Sequence, residues 1–146
     1  MAICFAISEI SLLGRTAAGV KSMGLSEGDH VAYAFVHNDE GEVLLVSDAG
    51  YIKRCLLIDF EQQARGGKGS KCFGFTKNGA VGSRIAGALH VMLPYDFEII
   101  QKNGTRTRMN TEAISIETAR GKGEPCVVVV LDDVVVGLER SAVGGQ

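Results

Sequence analysis

Val43-Leu44-Leu45-Val46-Ser47-Asp48-Ala49-Gly50-Tyr51-Ile52-Lys53-Arg54 reads as an apolar strand, a turn ending in glycine and a second strand finishing on arginine. Phe97-Glu98-Ile99-Ile100-Gln101-Lys102-Asn103-Gly104-Thr105-Arg106-Thr107-Arg108 repeats the pattern at an offset of 54 residues, Val43 falling on Phe97. Each copy is a hairpin whose turn glycine, Gly50 or Gly104, supplies a positive φ. Met1-Ala2-Ile3-Cys4-Phe5 aligns with Tyr51 to Cys55, so the first copy holds only half of a hairpin and the chain is expected to start inside a repeat. A fixed period of about 50 residues points to a propeller or an array of repeats.

Each hairpin is followed by a short stretch expected to be helical or irregular, at Ser8 to Leu12, Leu57 to Gln62 and Asn110 to Ile116. A glycine-rich loop comes next, and then a further strand pair: Ser22 to Leu25 with Asp29 to Val36, Cys72 to Thr76 with Ala80 to Leu89, and Cys126 to Leu131 with Asp133 to Leu138. The turns Gly28-Asp29, Asn78-Gly79 and Asp132-Asp133 occupy equivalent places. Val, Ile, Leu, Phe and Tyr dominate these segments, and proline occurs only at Pro94 and Pro125, so the fold class is all-β. The expected architecture is about three propeller-like four-stranded units, the first incomplete, over residues 1–42, 43–96 and 97–140, with a frayed tail at 141–146.

The glycine-rich loops carry the candidate chemistry. Gln63-Ala64-Arg65-Gly66-Gly67-Lys68-Gly69-Ser70-Lys71 has three cations between Arg65 and Lys71; Gly14-Arg15-Thr16-Ala17-Ala18-Gly19-Val20-Lys21 precedes it, and Ala119-Arg120-Gly121-Lys122-Gly123 follows. Glycine lets a backbone approach a polyanion closely, and Arg and Lys neutralise phosphate. In a radial arrangement, equivalent loops fall on one rim, and Arg15, Lys21, Arg65, Lys68, Lys71, Arg120 and Lys122 become a basic track. Lys53, Arg54, Arg106 and Arg108 end hairpin strands and join the candidates, although Arg54 and Arg108 could equally brace a neighbouring loop through its carbonyls. The glycines themselves are also what tight turns need whether or not anything binds.

With 146 residues the chain has the length of one domain, and a formal net charge of -2 argues against a uniformly basic surface. Charge is segregated instead. Residues 51 to 77 hold six Lys or Arg against Asp59 and Glu61, while residues 26 to 48 hold Glu27, Asp29, Asp39, Glu40, Glu42 and Asp48 and no cation. Cys4, Cys55, Cys72 and Cys126 show neither zinc spacing nor a disulfide framework, and read as buried hydrophobes of a reducing cytoplasm. His30, His37 and His90 lack ligand spacing, so neither metal nor cofactor is expected. The Met1 start lacks the features of a signal peptide, and Cys126 to Leu131 is too short an apolar run to span a bilayer. Gly66 to Lys71 lacks the spacing of a nucleotide-binding loop.

Ser11 to Lys21, then Leu44-Leu45-Val46 through Gly50-Tyr51-Ile52-Lys53-Arg54, then Gln63 to Lys71 form an ordered series that resembles the C-terminal domain of the bacterial DNA gyrase A subunit, and more distantly that of its topoisomerase IV counterpart. The resemblance covers nearly the whole chain. It implies a β-pinwheel, a ring of roughly six blades that exchange strands, whose basic rim bends and wraps duplex DNA. It further implies a bacterial cytoplasmic, nucleoid-associated location; the implied partners are the ATPase B subunit together with the rest of the topoisomerase A subunit. The family's wrapping box is Gln-Arg-Arg-Gly-Gly-Lys-Gly in the first blade. Here Ala64 replaces an arginine amid signatures resembling later blades, so the loop resembles a degenerate copy. None of Tyr33, Tyr51 or Tyr95 lies in a motif like the family's catalytic tyrosine, and no DNA cleavage is expected of this chain.

The leading expectation is therefore a non-catalytic module that binds double-stranded DNA. The competing one is a propeller serving as a protein-interaction scaffold, with the acidic stretch from Asp39 to Asp48 on its contact face. An enzyme ranks third, since no nucleophile and base recur at suitable spacing. Open blades leave strand edges bare, so self-association is expected, as a homodimer completing a ring.

Overall fold

Antiparallel pairing dominates the computed structural model, which describes residues 1–142. Its seven strands are β1 (Glu42–Ser47), β2 (Tyr51–Leu56), β3 (Ile85–Val91), β4 (Asp96–Gln101), β5 (Arg106–Asn110), β6 (Glu124–Pro125) and β7 (Val135–Arg140). They form a sheet in the order β3-β1-β2-β6 and a second in the order β5-β4-β7. The fold is all-β, as the alternation and turn chemistry require. Among the described residues no helix is long and apolar enough to cross a membrane.

The apolar run of β1 is continuous because both of its faces are covered. Val43 and Leu45 join one cluster with Cys55, Leu57, Cys72, Phe73, Val81 and Ala88. Leu44 and Val46, pointing the other way, join a second cluster with Ile52, Val91, Phe97, Ile99, Ile114 and Val135. The first cluster packs the four-stranded sheet against the segment after the second glycine-rich loop; the second packs it against the three-stranded sheet. The core therefore holds consecutive repeats together.

The repeat is visible in the hydrogen bonding. Both expected hairpins are present, with Leu45 opposite Lys53 and Ile99 opposite Thr107. In each, the strand following the glycine-rich loop pairs with the hairpin's first strand, β3 with β1 and β7 with β4, and the register slips at the same place, Val46/Ser47 and Ile100/Gln101. The short stretches are single 3-10 turns at Ile7–Glu9, Leu57–Asp59 and Thr111–Ala113. The fourth strand of the first sheet, β6, comes from beyond the third loop and pairs Ile52 with Glu124. Ala2 pairs with Ser70 in the same way, and the parallel bridges Cys4 to Gln62 and Arg54 to Ile116 also correspond. Adjacent repeats thus exchange segments.

Several expected strands are corrected. Ser22 to Leu25, Asp29 to Val36, Cys72 to Thr76 and Cys126 to Leu131 form no regular strand. β3 begins at Ile85, not Ala80, and β7 at Val135, not Asp133. The reason is the lack of a ladder partner. Asp29 to Val36 has the apolar pattern of β3, but no described segment stands where β1 stands for β3, and Val31, Tyr33 and Val36 remain exposed. Among the described residues Cys72 to Thr76 has a single main-chain link to another repeat, Gly74 N to Gly121 O, and buries Cys72 and Phe73 without a ladder. In the expected tail, Ser141 N donates to Asp96 O at 2.9 Å; residues 143–146 lie outside the described residues.

Candidate nucleic-acid interface

Main-chain hydrogen bonds join the three glycine-rich loops in series. Gly66 N donates to Ser22 O at 2.8 Å and Gly24 N to Gly67 O at 2.6 Å, tying the end of the first loop to the middle of the second. Gly74 N, just past the second loop, donates to Gly121 O of the third at 2.9 Å. This last link repeats the Gly24 to Gly67 link one unit later. Gly69 and Gly123, both at φ 75°, begin the segments lent to the preceding hairpin. A Cβ at Gly69 would collide with the Ala2 carbonyl oxygen, and one at Gly123 would stand 2.9 Å from Ile52 O. Strand exchange by itself thus requires these glycines.

The candidate cations separate into two groups. Arg15, Lys21, Lys68, Lys71, Arg120 and Lys122 are exposed, and among the described residues their side chains make no ion pair or hydrogen bond. All six lie on the linked loops. The other five are engaged within the protein. Arg65 Nε donates to Glu9 O at 3.2 Å and its Nη1 to Lys21 O at 2.5 Å, so this arginine braces the first loop against the second. Arg106 binds Glu98 at 3.3 Å and Glu139 at 2.8 Å. Arg108 binds Asp96 at 3.0 Å, and hydrogen bonds from Asn110 and Arg108 hold the Asp96 carboxyl below its ordinary pKa. Each of these carboxylates offsets the attraction its arginine would exert on phosphate.

Two expectations need correction outright. Lys53 is fully buried, its Nζ donating to Thr118 O, Ala119 O and Gly121 O, so it cannot touch a phosphate. Arg54, with a side chain only 15% exposed, donates from Nε to Ile114 O at 2.7 Å and from Nη1 to Glu42 at 2.9 Å. It is the carbonyl brace that was the alternative reading of its position. Lys77 and Lys102 are exposed and, among the described residues, unpaired as well, but they lie outside the glycine-rich loops, Lys77 in an isolated turn and Lys102 in the turn of the β4–β5 hairpin.

The acidic stretch is partly consumed. Glu42 pairs with Arg54, and Asp48 accepts from Ser83 N at 2.9 Å and Ser83 Oγ at 3.1 Å, with Arg84 at 3.8 Å. Sequence spacing concealed one cluster, in which the chain brings Cys4 beside His37 and Asp39. His37 Nδ1 accepts from Asp39 N at 2.9 Å, which leaves the ring hydrogen on Nε2, 3.5 Å from Cys4 Sγ. Both ring nitrogens are thereby used in hydrogen bonds. Also missed were Glu9 and Glu117, whose carboxylates accept from Arg65 N at 3.0 Å and Gly123 N at 3.2 Å and so fasten two loops. No periodic signal marks them.

The family described as DNA gyrase C-terminal domain, beta-propeller, matches residues 1–38 and 41–81. The DNA gyrase A subunit of Kosmotoga olearia is 35% identical over 141 residues, covering 94% of this chain and 17% of that protein. A solved DNA gyrase A C-terminal domain superposes with a TM-score of 0.75 at 24% identity, over 93% of this chain and 45% of that one. The C-terminal domain of a DNA topoisomerase IV gives 0.76 at 22% identity, over 93% and 42%. The chain thus spans less than half of either solved domain and about a sixth of the Kosmotoga protein. Matched across its repeats in sequence and in fold, the chain belongs to the DNA gyrase C-terminal domain family of beta-propellers.

Proposed function

We propose that this chain is a non-catalytic DNA-binding module of a type IIA topoisomerase A subunit, one that bends or wraps duplex DNA by its phosphates. The observation that carries this reading is the sorting of the cations: among the described residues the six on the linked loops are exposed and unpaired, whereas Arg54, Arg106 and Arg108 pair with carboxylates, Lys53 is buried and Arg65 is tied to loop carbonyls. The family supports the same reading, since its named relatives are gyrase A subunits. Binding is electrostatic and indifferent to sequence. Arg15, Lys21, Lys68, Lys71, Arg120 and Lys122 meet successive phosphates, and the counterions released offset the elastic cost of bending, which is on the order of several kcal/mol.

A salt titration tests the reading. With six contacts, the logarithm of the affinity for a linear duplex falls against the logarithm of salt concentration with a slope of about -5, a loss on the order of 10³ between 50 and 200 mM. Affinity that hardly changes over that range refutes the phosphate track. The scaffold alternative is disfavoured by the internal pairing of Glu42 and Asp48.

Self-association belongs to the same proposal. Among the described residues β5 has β4 on one side and no strand on the other, although the equivalent edge of β2 is filled by β6. An open edge invites pairing, and a second copy completing a ring satisfies it. Light scattering at tens of micromolar should give more than the monomer mass; a monomeric mass sinks the idea.

A further inference from the structure

Lys53 is the largest fully buried side chain among the described residues, and no carboxylate pairs with it. Its ammonium donates to Thr118 O at 2.8 Å, Ala119 O at 2.9 Å and Gly121 O at 3.0 Å, which uses all three of its hydrogens. The Phe73 ring lies 5.0 Å away, and burial lowers the lysine pKa from its ordinary value. Burying a charge is costly unless every donor is satisfied. The loop carbonyls fulfil that condition, and in doing so they are turned inward.

The peptide plane then dictates what faces out. In a trans peptide the N–H points opposite to the C=O, so the N–H groups of Ala119, Arg120 and Lys122, which follow the three inward carbonyls, point away from Nζ. None of the three has a hydrogen-bond partner within the protein among the described residues. Arg120 and Lys122, the free cations of this loop, are exposed.

The other repeats serve as internal comparisons. Thr107 occupies the position of Lys53 on β5, since it faces Ile99 as Lys53 faces Leu45. One unit earlier the position falls to Ile3, whose Cδ1 packs 3.6 Å from where a Cβ of Gly67 would stand. Of these three positions, only Lys53 sets a buried cation beneath a glycine-rich loop.

We propose that Lys53 is a positioning residue for phosphate binding: by gathering the Thr118, Ala119 and Gly121 carbonyls inward, it holds Arg120, Lys122 and the outward N–H groups of Ala119, Arg120 and Lys122 toward a nucleic-acid phosphate. This rests on the DNA-binding reading above. Lys53 never meets the DNA; it fixes the loop that does.

The test compares four forms of the whole chain, the unaltered protein, Lys53→Met, Arg120→Ala with Lys122→Ala, and the triple variant, by fluorescence anisotropy on a labelled linear duplex. Two lost contacts at 0.1 M salt weaken binding by roughly 50- to 100-fold and lower the salt slope by about 2. Lys53→Met should reproduce that loss, and in the triple variant it should add nothing further. A loss that adds in full to that of the double variant marks a merely structural lysine and overturns the proposal, as does a folded Lys53→Met that binds at full strength. Should Lys53→Met fail to fold, Phe73→Leu, which removes the ring beside the ammonium, takes its place in the same comparison. If the unaltered chain does not bind duplex at all, the DNA reading falls and this proposal falls with it; binding by the unaltered chain that Lys53→Met leaves intact overturns this proposal alone.

Discussion

Replacing Lys68, Lys71, Arg120 and Lys122 together with alanine should lower duplex affinity on the order of 10³-fold at 0.1 M salt and reduce the salt slope from about -5 to about -2. Each phosphate contact contributes about 0.9 to the slope, hence about 0.9 logarithmic unit at 0.1 M relative to 1 M salt, where the counterion term vanishes. All four side chains are exposed and, among the described residues, none holds a partner, so their removal leaves no buried group unsatisfied. Stability should change by no more than about 0.5 kcal/mol per site. Anisotropy and thermal melts on the same samples separate the two effects. Undiminished binding by this variant would remove the second and third glycine-rich loops from any DNA contact and leave Arg15 and Lys21 of the first loop, with the exposed Lys77 and Lys102, as the remaining candidates.

The largest effect on folding should come from Phe97→Ala. Phe97 is fully buried on β4, between Met109 of β5 and Arg140 of β7 in register, and its cluster includes Leu44 and Val46 of the other sheet. Truncation leaves a cavity at the junction of the two sheets and should cost about 3–5 kcal/mol, a large part of the stability of an ordinary domain. The melting temperature should drop by roughly 10 °C. Urea unfolding followed by circular dichroism measures the change, and a cost below about 1 kcal/mol would contradict this packing. The solvent-facing Val136, also on a strand of the second sheet, is the control: its truncation should change stability by less than about 0.5 kcal/mol.

The hairpins at Val43 to Arg54 and Phe97 to Arg108 were readable because their information is local. Strand pattern, turn glycine and closing arginine all lie within twelve residues, and the structure sets Gly50 and Gly104 at φ 83° and 93° as the turns demand. The all-β class follows from the recurrence of that unit, and the family from the resemblance of the ordered motifs at Ser11 to Lys21, Leu44 to Arg54 and Gln63 to Lys71. The misread strands are those whose identity depends on a distant partner. Asp29 to Val36 carries the same apolar pattern as β3, yet a pattern without a ladder beside it does not make a strand.

Function divides along the same line. That cations and glycines recur once per unit is a property of the sequence, and it located all six free loop cations. Which cations are free is a property of the folded chain. Lys53 and Arg54 are neighbours, but strand alternation sends one ammonium under Thr118 to Gly121 and the other side chain to Glu42 and Ile114. Most of those partners lie 60 or more residues away and arrive only because adjacent repeats exchange segments. A residue's charge is written in its side chain, whereas its availability to a phosphate depends on which carbonyls and carboxylates the fold has brought against it.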